Sequence, residues 1–374
     1  MIRNILFVFG TRPEAIKLFP IINKMKSMPE YFNVIICSTG QHHEMLQHTL
    51  KVFDINPNYN LNIMINNQSL AGLTANLIPQ VNDIFAKEKI NLTIVQGDTT
   101  STFVGSLCSY YNKVPISHIE AGLRTNNKYS PFPEEINRRL TDILSDSYFV
   151  PTELAKNNLI KEGIDLEKIF ITGNTAIDSL IYIMKENSKI NKFEKLIKCY
   201  NLNLNKIYIL ITGHRRESFG DSFKNICEAI KSIALAHPEI EVVYPVHLNP
   251  NVQKPVFEIL NNISNIKLIP PVEYDFFVFL MQHCYLILSD SGGIQEEAPT
   301  MNKPLLVMRE VTERPEGLIA GTMKLVGTGR DSIFNSANNL LTSKEEYYSM
   351  INKGNPYGDG KASERITEII KNSF

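Results

Sequence analysis

The stretch ILFVFGTRPEAIK (Ile5–Lys17) decides the fold. Its first five residues are apolar without alternation, the pattern of a strand buried on both faces. Gly10 turns the chain, and Pro13 suits the first turn of a helix. A buried strand running directly into a helix is the opening of a βαβ unit. Arg12 and Lys17 then fall near a helix N-terminus, where anions are favoured. A capped helix with solvated charges fits the same spacing.

Outward from that stretch the pattern recurs. Val34–Cys37, Leu92–Val95, Ile116–His118, Tyr148–Val150 and Ile169–Thr172 are short apolar runs separated by segments of helical length and period. After a polar stretch at Asn187–Asn205 the alternation restarts with Ile207–Ile211, Val242–Pro245, Ile266–Ile269, Tyr285–Ser289 and Leu305–Met308. Such alternation predicts parallel sheets. The expected fold is α/β, with two doubly wound Rossmann-like domains and a ligand cleft between them. The expected division is 1–172, 173–358, and a C-terminal helix from 359–374 returning to the first domain. A hinge near Gly173 would let the domains close on a ligand.

The length of 374 residues suits two domains, and 43% hydrophobic residues supply two cores. Lys plus Arg number 38 and Asp plus Glu 39, which speaks against nucleic-acid binding through bulk charge. The longest apolar window, Phe276–Leu288, is broken by Gln282 and His283, so no membrane span is expected. The run Ile5–Phe9 is short for a signal peptide. Five widely spaced cysteines without C-x-x-C read as reduced thiols in a cytoplasmic protein, and no metal site is expected.

Polar clusters follow the strands, where α/β sheets place their sites. Asp98, Glu120 and Glu134 lie in three such clusters. Each alone could be structural: Asp98 an N-cap, Glu134 and Glu135 first-turn residues favoured by the helix dipole. Three carboxylates on successive strand ends of one sheet point to acid/base chemistry. In the second half His214 follows a strand, and Ser291-Gly292-Gly293 lead into a helix whose backbone N–H groups could approach a diphosphate. Glu297, about one turn on, could accept from ribose hydroxyls. No G-x-G-x-x-G follows a strand and no G-x-x-x-x-G-K-[ST] occurs, so no nicotinamide cofactor or NTP hydrolysis is expected. His42, His43 and Glu44 do not complete H-E-x-x-H.

GTRPEAIK (Gly10–Lys17), HIEAGLR (His118–Arg124), PFPEEINRRLTD (Pro131–Asp142), TGNTAIDSL (Thr172–Leu180), TGHRRESFG (Thr212–Gly220), YPVHLNPNV (Tyr244–Val252), SDSGGIQEEAP (Ser289–Pro299) and KPLLVMRE-x-TERPE (Lys303–Glu316) together resemble the non-hydrolysing UDP-N-acetylglucosamine 2-epimerases. The resemblance implies a glycosyltransferase-B-type fold, a homodimer, and a cytoplasmic enzyme with no cofactor whose product feeds surface polysaccharide. By resemblance, Asp98, Glu120 and Glu134 are the catalytic carboxylates, with Lys17 and His214 also at the reacting centre. Arg12, Lys17, His214, Ser291, Gly292 and Gly293 would bind the diphosphate side of UDP, with Arg314 a further arginine of the nucleotide site. Glu297 would bind ribose, and Phe277 and the Val272 backbone would meet uracil. Val272 stands where relatives often have Gln. Gln41 and His42 match a segment that holds an activating substrate molecule in some relatives, although His43 stands where Arg is common. A UDP-sugar glycosyltransferase or a non-catalytic UDP-sugar sensor of the same fold are the competing expectations.

Overall fold

The computed structural model describes residues 2–40, 43–63, 68–188 and 192–373, with side chains 43–45 left aside. Among the described residues, thirteen strands form two wholly parallel sheets. The first contains β1 (Arg3–Phe9), β2 (Phe32–Ser38), β3 (Tyr59–Asn60), β4 (Leu92–Gln96), β5 (Ile116–Ile119), β6 (Ser147–Val150) and β7 (Ile169–Ile171), in the order β3-β2-β1-β4-β5-β6-β7. The second contains β8 (Tyr208–Thr212), β9 (Glu241–Pro245), β10 (Ile266–Ile269), β11 (Leu286–Ser289), β12 (Leu305–Val307) and β13 (Met323–Leu325), in the order β10-β9-β8-β11-β12-β13. Both are doubly wound Rossmann orders. The chain direction across the sheet reverses between β1 and β4, and again between β8 and β11.

Burial explains why these runs are strands. Ile5, Leu6, Phe7, Val8 and Phe9 are fully buried, because helices cover both faces of the sheet. In the second sheet Ile209, Leu210, Val242, Leu286 and Leu288 are buried in the same way. β3 and β13 are sheet-edge strands absent from the sequence expectation. With two and three residues they are too short to show any periodicity. The polar stretch at 187–205 also contains a helix, Glu194–Cys199.

Unit 1 is Met1–Ser179 with Tyr357–Phe374, and unit 2 is Leu180–Pro356. The first crossing therefore falls inside the helix Thr175–Asn187, later than the boundary expected at 172–173. The start of that helix is tied to unit 1. Ser179 Oγ donates to the Ile16 carbonyl, and Asp178 accepts from Ala362 N, Ser363 N and Ser363 Oγ. The terminal helix Ala362–Ser373 is tied there too, since Arg3 Nη1 donates to the carbonyls of Ile370 and Lys371.

Candidate active site

In unit 1 the expected carboxylates gather at the switch between β1 and β4. Gly10 ends β1 where a Cβ would collide with Thr39 Oγ1 and Ser101 Oγ, which bond each other at 2.8 Å. Thr11 then caps the helix Arg12–Lys26 with a capping box closed by Glu14. Glu14 is buried and accepts from Gly10 N (3.1 Å), Thr11 N (2.8 Å) and Thr11 Oγ1 (2.7 Å). Across the switch it accepts from Thr99 Oγ1 (2.7 Å) and Thr102 Oγ1 (2.9 Å). Burial pushes its carboxyl up, against the pull of these donors. Glu14 thus fastens the loop after β1 to the loop after β4.

Asp98 does not cap the next helix. Thr99 does so, accepting from Thr102 N at 3.1 Å, which leaves the Asp98 carboxylate to pair with Arg138 Nη2. Glu134 is half-buried at the first position of the helix Glu134–Leu144. Burial raises its pKa, neighbouring Asp98 adds to the rise, and Arg138 opposes it. Glu135, by contrast, is fully buried and structural. It accepts from Thr125 N and Asn126 N and pairs with Arg138 and Arg139.

Glu120 follows β5 with φ +66, a left-handed backbone that a non-glycine residue adopts only where its surroundings impose it. Its N–H donates to the Phe149 carbonyl at 2.9 Å. Oε1 accepts from Lys17 Nζ at 2.5 Å and Asn174 Nδ2 at 3.3 Å, and Oε2 accepts from Gln96 Nε2. Lys17 therefore lies on a carboxylate of its own unit, not only at a helix N-terminus. Arg12 is half-buried one residue into the same helix. Gln96, Arg138 and Asn174 were not expected. Arg138 is legible afterwards, one helical turn past Glu134, but nothing in the sequence near Asn174 signals its partner.

In unit 2 the switch lies between β8 and β11. His214 N and Arg215 N donate to Asp290 Oδ2 at 2.7 and 2.8 Å, which fixes the loop after β8 against the loop after β11. The His214 ring stacks on His247 with centroids 5.2 Å apart. Ser291 precedes the short helix Gly292–Glu297. A Cβ on Gly292 would meet Arg314 Nη1 at 2.8 Å and Cζ at 2.9 Å, so glycine lets that guanidinium lie against the loop backbone. A Cβ on Gly293 would meet nothing closer than Ser291 Oγ at 4.0 Å. Arg314 Nε donates to Glu296 Oε1 at 2.7 Å. Arg309 is buried between Glu217 and Glu313 at 2.6 and 2.8 Å. Burial pushes Glu313 up, but Arg309 outweighs it and holds the carboxyl at about 2. Glu297, 8% exposed, accepts from Tyr274 Oη at 2.8 Å. Val272 and Phe277 are half-buried just before and within the helix Tyr274–His283. Gln41 and His42 lie outside the described residues.

The chemistry of the two switches is thus divided. Unit 1 holds Lys17 on Glu120 and places Asp98 beside Glu134; unit 2 fixes the His214 backbone on Asp290, next to Ser291, and lays Arg314 against Gly292. The family model for UDP-N-acetylglucosamine 2-epimerase matches residues 24–371. A UDP-N-acetylglucosamine 2-epimerase of Campylobacter jejuni is 49% identical over 99% of this chain and 98% of that protein. Its counterpart in Escherichia coli K12 is 48% identical, with 99% of each chain covered. The crystal structure of the Neisseria meningitidis UDP-GlcNAc 2-epimerase bound to UDP-GlcNAc superposes with TM-score 0.92 at 47% identity, covering 98% of this chain and 99% of that one. With the family's match running across both units, the chain belongs to the UDP-N-acetylglucosamine 2-epimerases.

Proposed function

We propose that this protein interconverts UDP-N-acetylglucosamine and UDP-N-acetylmannosamine by expelling UDP from C1 as C2 loses its proton. The 2-acetamidoglucal so formed takes UDP back while a proton returns to the other face of C2. The C2–H is not adjacent to a carbonyl, so a base alone cannot remove it at a useful rate. Loss of the C1 substituent in the same elimination supplies the driving force. Carboxylates for the proton and cations for the departing diphosphate are what that route needs.

The observation that carries the reading is Glu120. It is a carboxylate in a left-handed backbone at the end of β5, bonded by Lys17 and Gln96. Asp98, paired with Arg138, and Glu134, with its raised carboxyl, supply the second and third groups for proton transfer. Carboxylates held in unlike environments are how one site keeps both an acid and a base. Lys17 and Arg12 balance negative charge on the substrate. In unit 2, His214, Ser291, Gly292, Gly293 and Arg314 hold the diphosphate, Glu297 the ribose, and Phe277 with the Val272 backbone the uracil.

Incubation with UDP-N-acetylglucosamine alone in heavy water, followed by NMR, tests this. Deuterium should appear at C2 of both sugars with no acceptor present, and prolonged incubation should release UDP and the glucal. Retention of hydrogen at C2 sinks the mechanism, and transfer only with an added acceptor returns the glycosyltransferase reading.

The product supplies surface polysaccharide, and the enzyme works in the cytoplasm. Five free thiols support that setting, as does the lack, among the described residues, of any helix long and apolar enough to cross a membrane. The working form is a homodimer. Its support is an exposed apolar face on unit 1, made by Ile136, Leu140 and Ile143 at helical spacing together with Tyr110 and Tyr111. Sedimentation of Ile143→Glu checks it: an unchanged dimer removes this face from the interface.

A further inference from the structure

The ends of β4 and β5 also hold a buried charge cluster that none of the proton-transfer roles above uses. The His118 side chain, in β5, has no exposed surface. Its Nδ1 lies 2.6 Å from Asp142 Oδ1, and its Nε2 lies 2.8 Å from the Gly97 carbonyl oxygen. A carbonyl only accepts. Asp142 also accepts, since its other oxygen takes Arg124 Nη2 at 2.6 Å. Burial pushes the Asp142 carboxyl up, but His118 and Arg124 outweigh it and hold it below the ordinary range. Neutral imidazole has a single N–H. With Asp142 ionised, the two bonds coexist only on a ring that carries both hydrogens.

We propose that His118 is held as an imidazolium and is a positioning residue for Asp98, acting through the Gly97 carbonyl. Gly97, with φ +74, is the one residue between the end of β4 and Asp98. The direction of its carbonyl sets the peptide plane on which Asp98 is mounted. A donor that carries charge holds that plane more firmly than a neutral one.

The helix Glu134–Leu144 makes the arrangement concerted. Arg138 pairs with the Asp98 side chain, Asn137 Nδ2 donates to the Asp98 carbonyl at 3.0 Å, and Asp142, toward the helix end, anchors the ring that holds Gly97. The groups around the ring leave it charged. Arg124 is shared between Asp142 and Glu162, so two cations meet two carboxylates. Tyr148, the strand neighbour of His118 on β6, turns its hydroxyl to the carbonyls of Asp142 and Ser145.

The link to Asp98 rests on the epimerase reading; the protonation of the ring does not. NMR on the full chain labelled with 15N-histidine reads the ring directly, with His118 assigned by its loss in His118→Asn. Both ring nitrogens should show attached hydrogen at neutral pH. A ring with one hydrogen overturns the proposal.

Two substitutions then separate positioning from mere support. An Asn amide reaches toward Asp142 but not Gly97, whereas a Gln amide reaches the Nε2 position and can still donate to the Gly97 carbonyl. His118→Asn should lower kcat about 100-fold with KM nearly unchanged, the size expected when a reacting group is displaced by about 1 Å. His118→Gln should recover most of kcat even where its melting temperature falls further. Equal kcat in the two variants, or kcat that follows the folded fraction, overturns the positioning role. Absent turnover in the unaltered enzyme would instead remove the epimerase reading and leave the ring measurement standing.

Discussion

At the switch between β1 and β4, unit 1 presents carboxylates and braces them with its own cations and amides: Glu120 with Lys17, Gln96 and Asn174, Asp98 with Arg138. At the switch between β8 and β11, unit 2 turns its carboxylates to holding other groups. Asp290 holds backbone N–H groups, Glu296 holds Arg314, Glu313 holds Arg309, and Glu297 takes the Tyr274 hydroxyl. The strand orders of the two sheets correspond, yet one end suits moving protons and the other suits holding an anion. Topology fixes where a site can stand; the side chains on the two loops at the switch decide what it does.

The sharpest way to break this contrast is in unit 1. Asp98→Asn, Glu120→Gln and Glu134→Gln should each fold and bind UDP nearly as before, but lose turnover by about 100-fold or more, the scale of an acid/base group. Calorimetry with UDP and a turnover assay on the same preparations check it. A variant that keeps normal turnover moves that carboxylate to a structural role.

Unit 2 should give the complementary result. Glu297→Ala should weaken UDP binding by about 1.5–3 kcal/mol if the carboxylate accepts from the ribose. Gly292→Ala should weaken UDP binding by about tenfold, since its Cβ displaces the Arg314 guanidinium while leaving the fold intact. Equilibrium titration with UDP reads both, and unchanged affinity in both would remove the anion role from this switch.

How much of this was legible follows from distance along the chain. The β1 run and Gly10 announce themselves because burial and the turn are local. The choice between Asp98 and Thr99 as cap is not legible, because both are good capping residues and they stand side by side. Thr99 takes the cap, and Asp98 is drawn to Arg138, 40 residues later. Glu14 reads only as part of a motif, since its burial depends on Thr99 and Thr102, which lie 85 and 88 residues away. Asn174 reaches Glu120 across 54 residues, after all seven strands of the first sheet. Strand ends are sequence-local, whereas the bracing between them is not.

The smallest expected effect concerns stability against pH, where Glu14 and Glu313 should slope in opposite directions. Glu313 in unit 2 is held at about 2 against an ordinary 4.5. An acid with a depressed folded value adds stability above 4.5 and loses it as pH falls toward 2. Glu14 in unit 1 is raised by burial, so its sign is reversed. The folded state keeps the proton when the unfolded chain has released it, and stability falls as pH rises from 4.5 toward the folded value. Melting temperatures of Glu313→Gln and Glu14→Gln against the unaltered protein, from about pH 2 to about pH 6, measure both. The gap between Glu313→Gln and the unaltered protein should close as the solution becomes more acidic. With Glu14→Gln, which mimics the protonated acid, the variant should gain on the unaltered protein as pH rises. Slopes of the same sign would mean that Glu14 is ionised despite its burial, with its five donors outweighing the cost of desolvation.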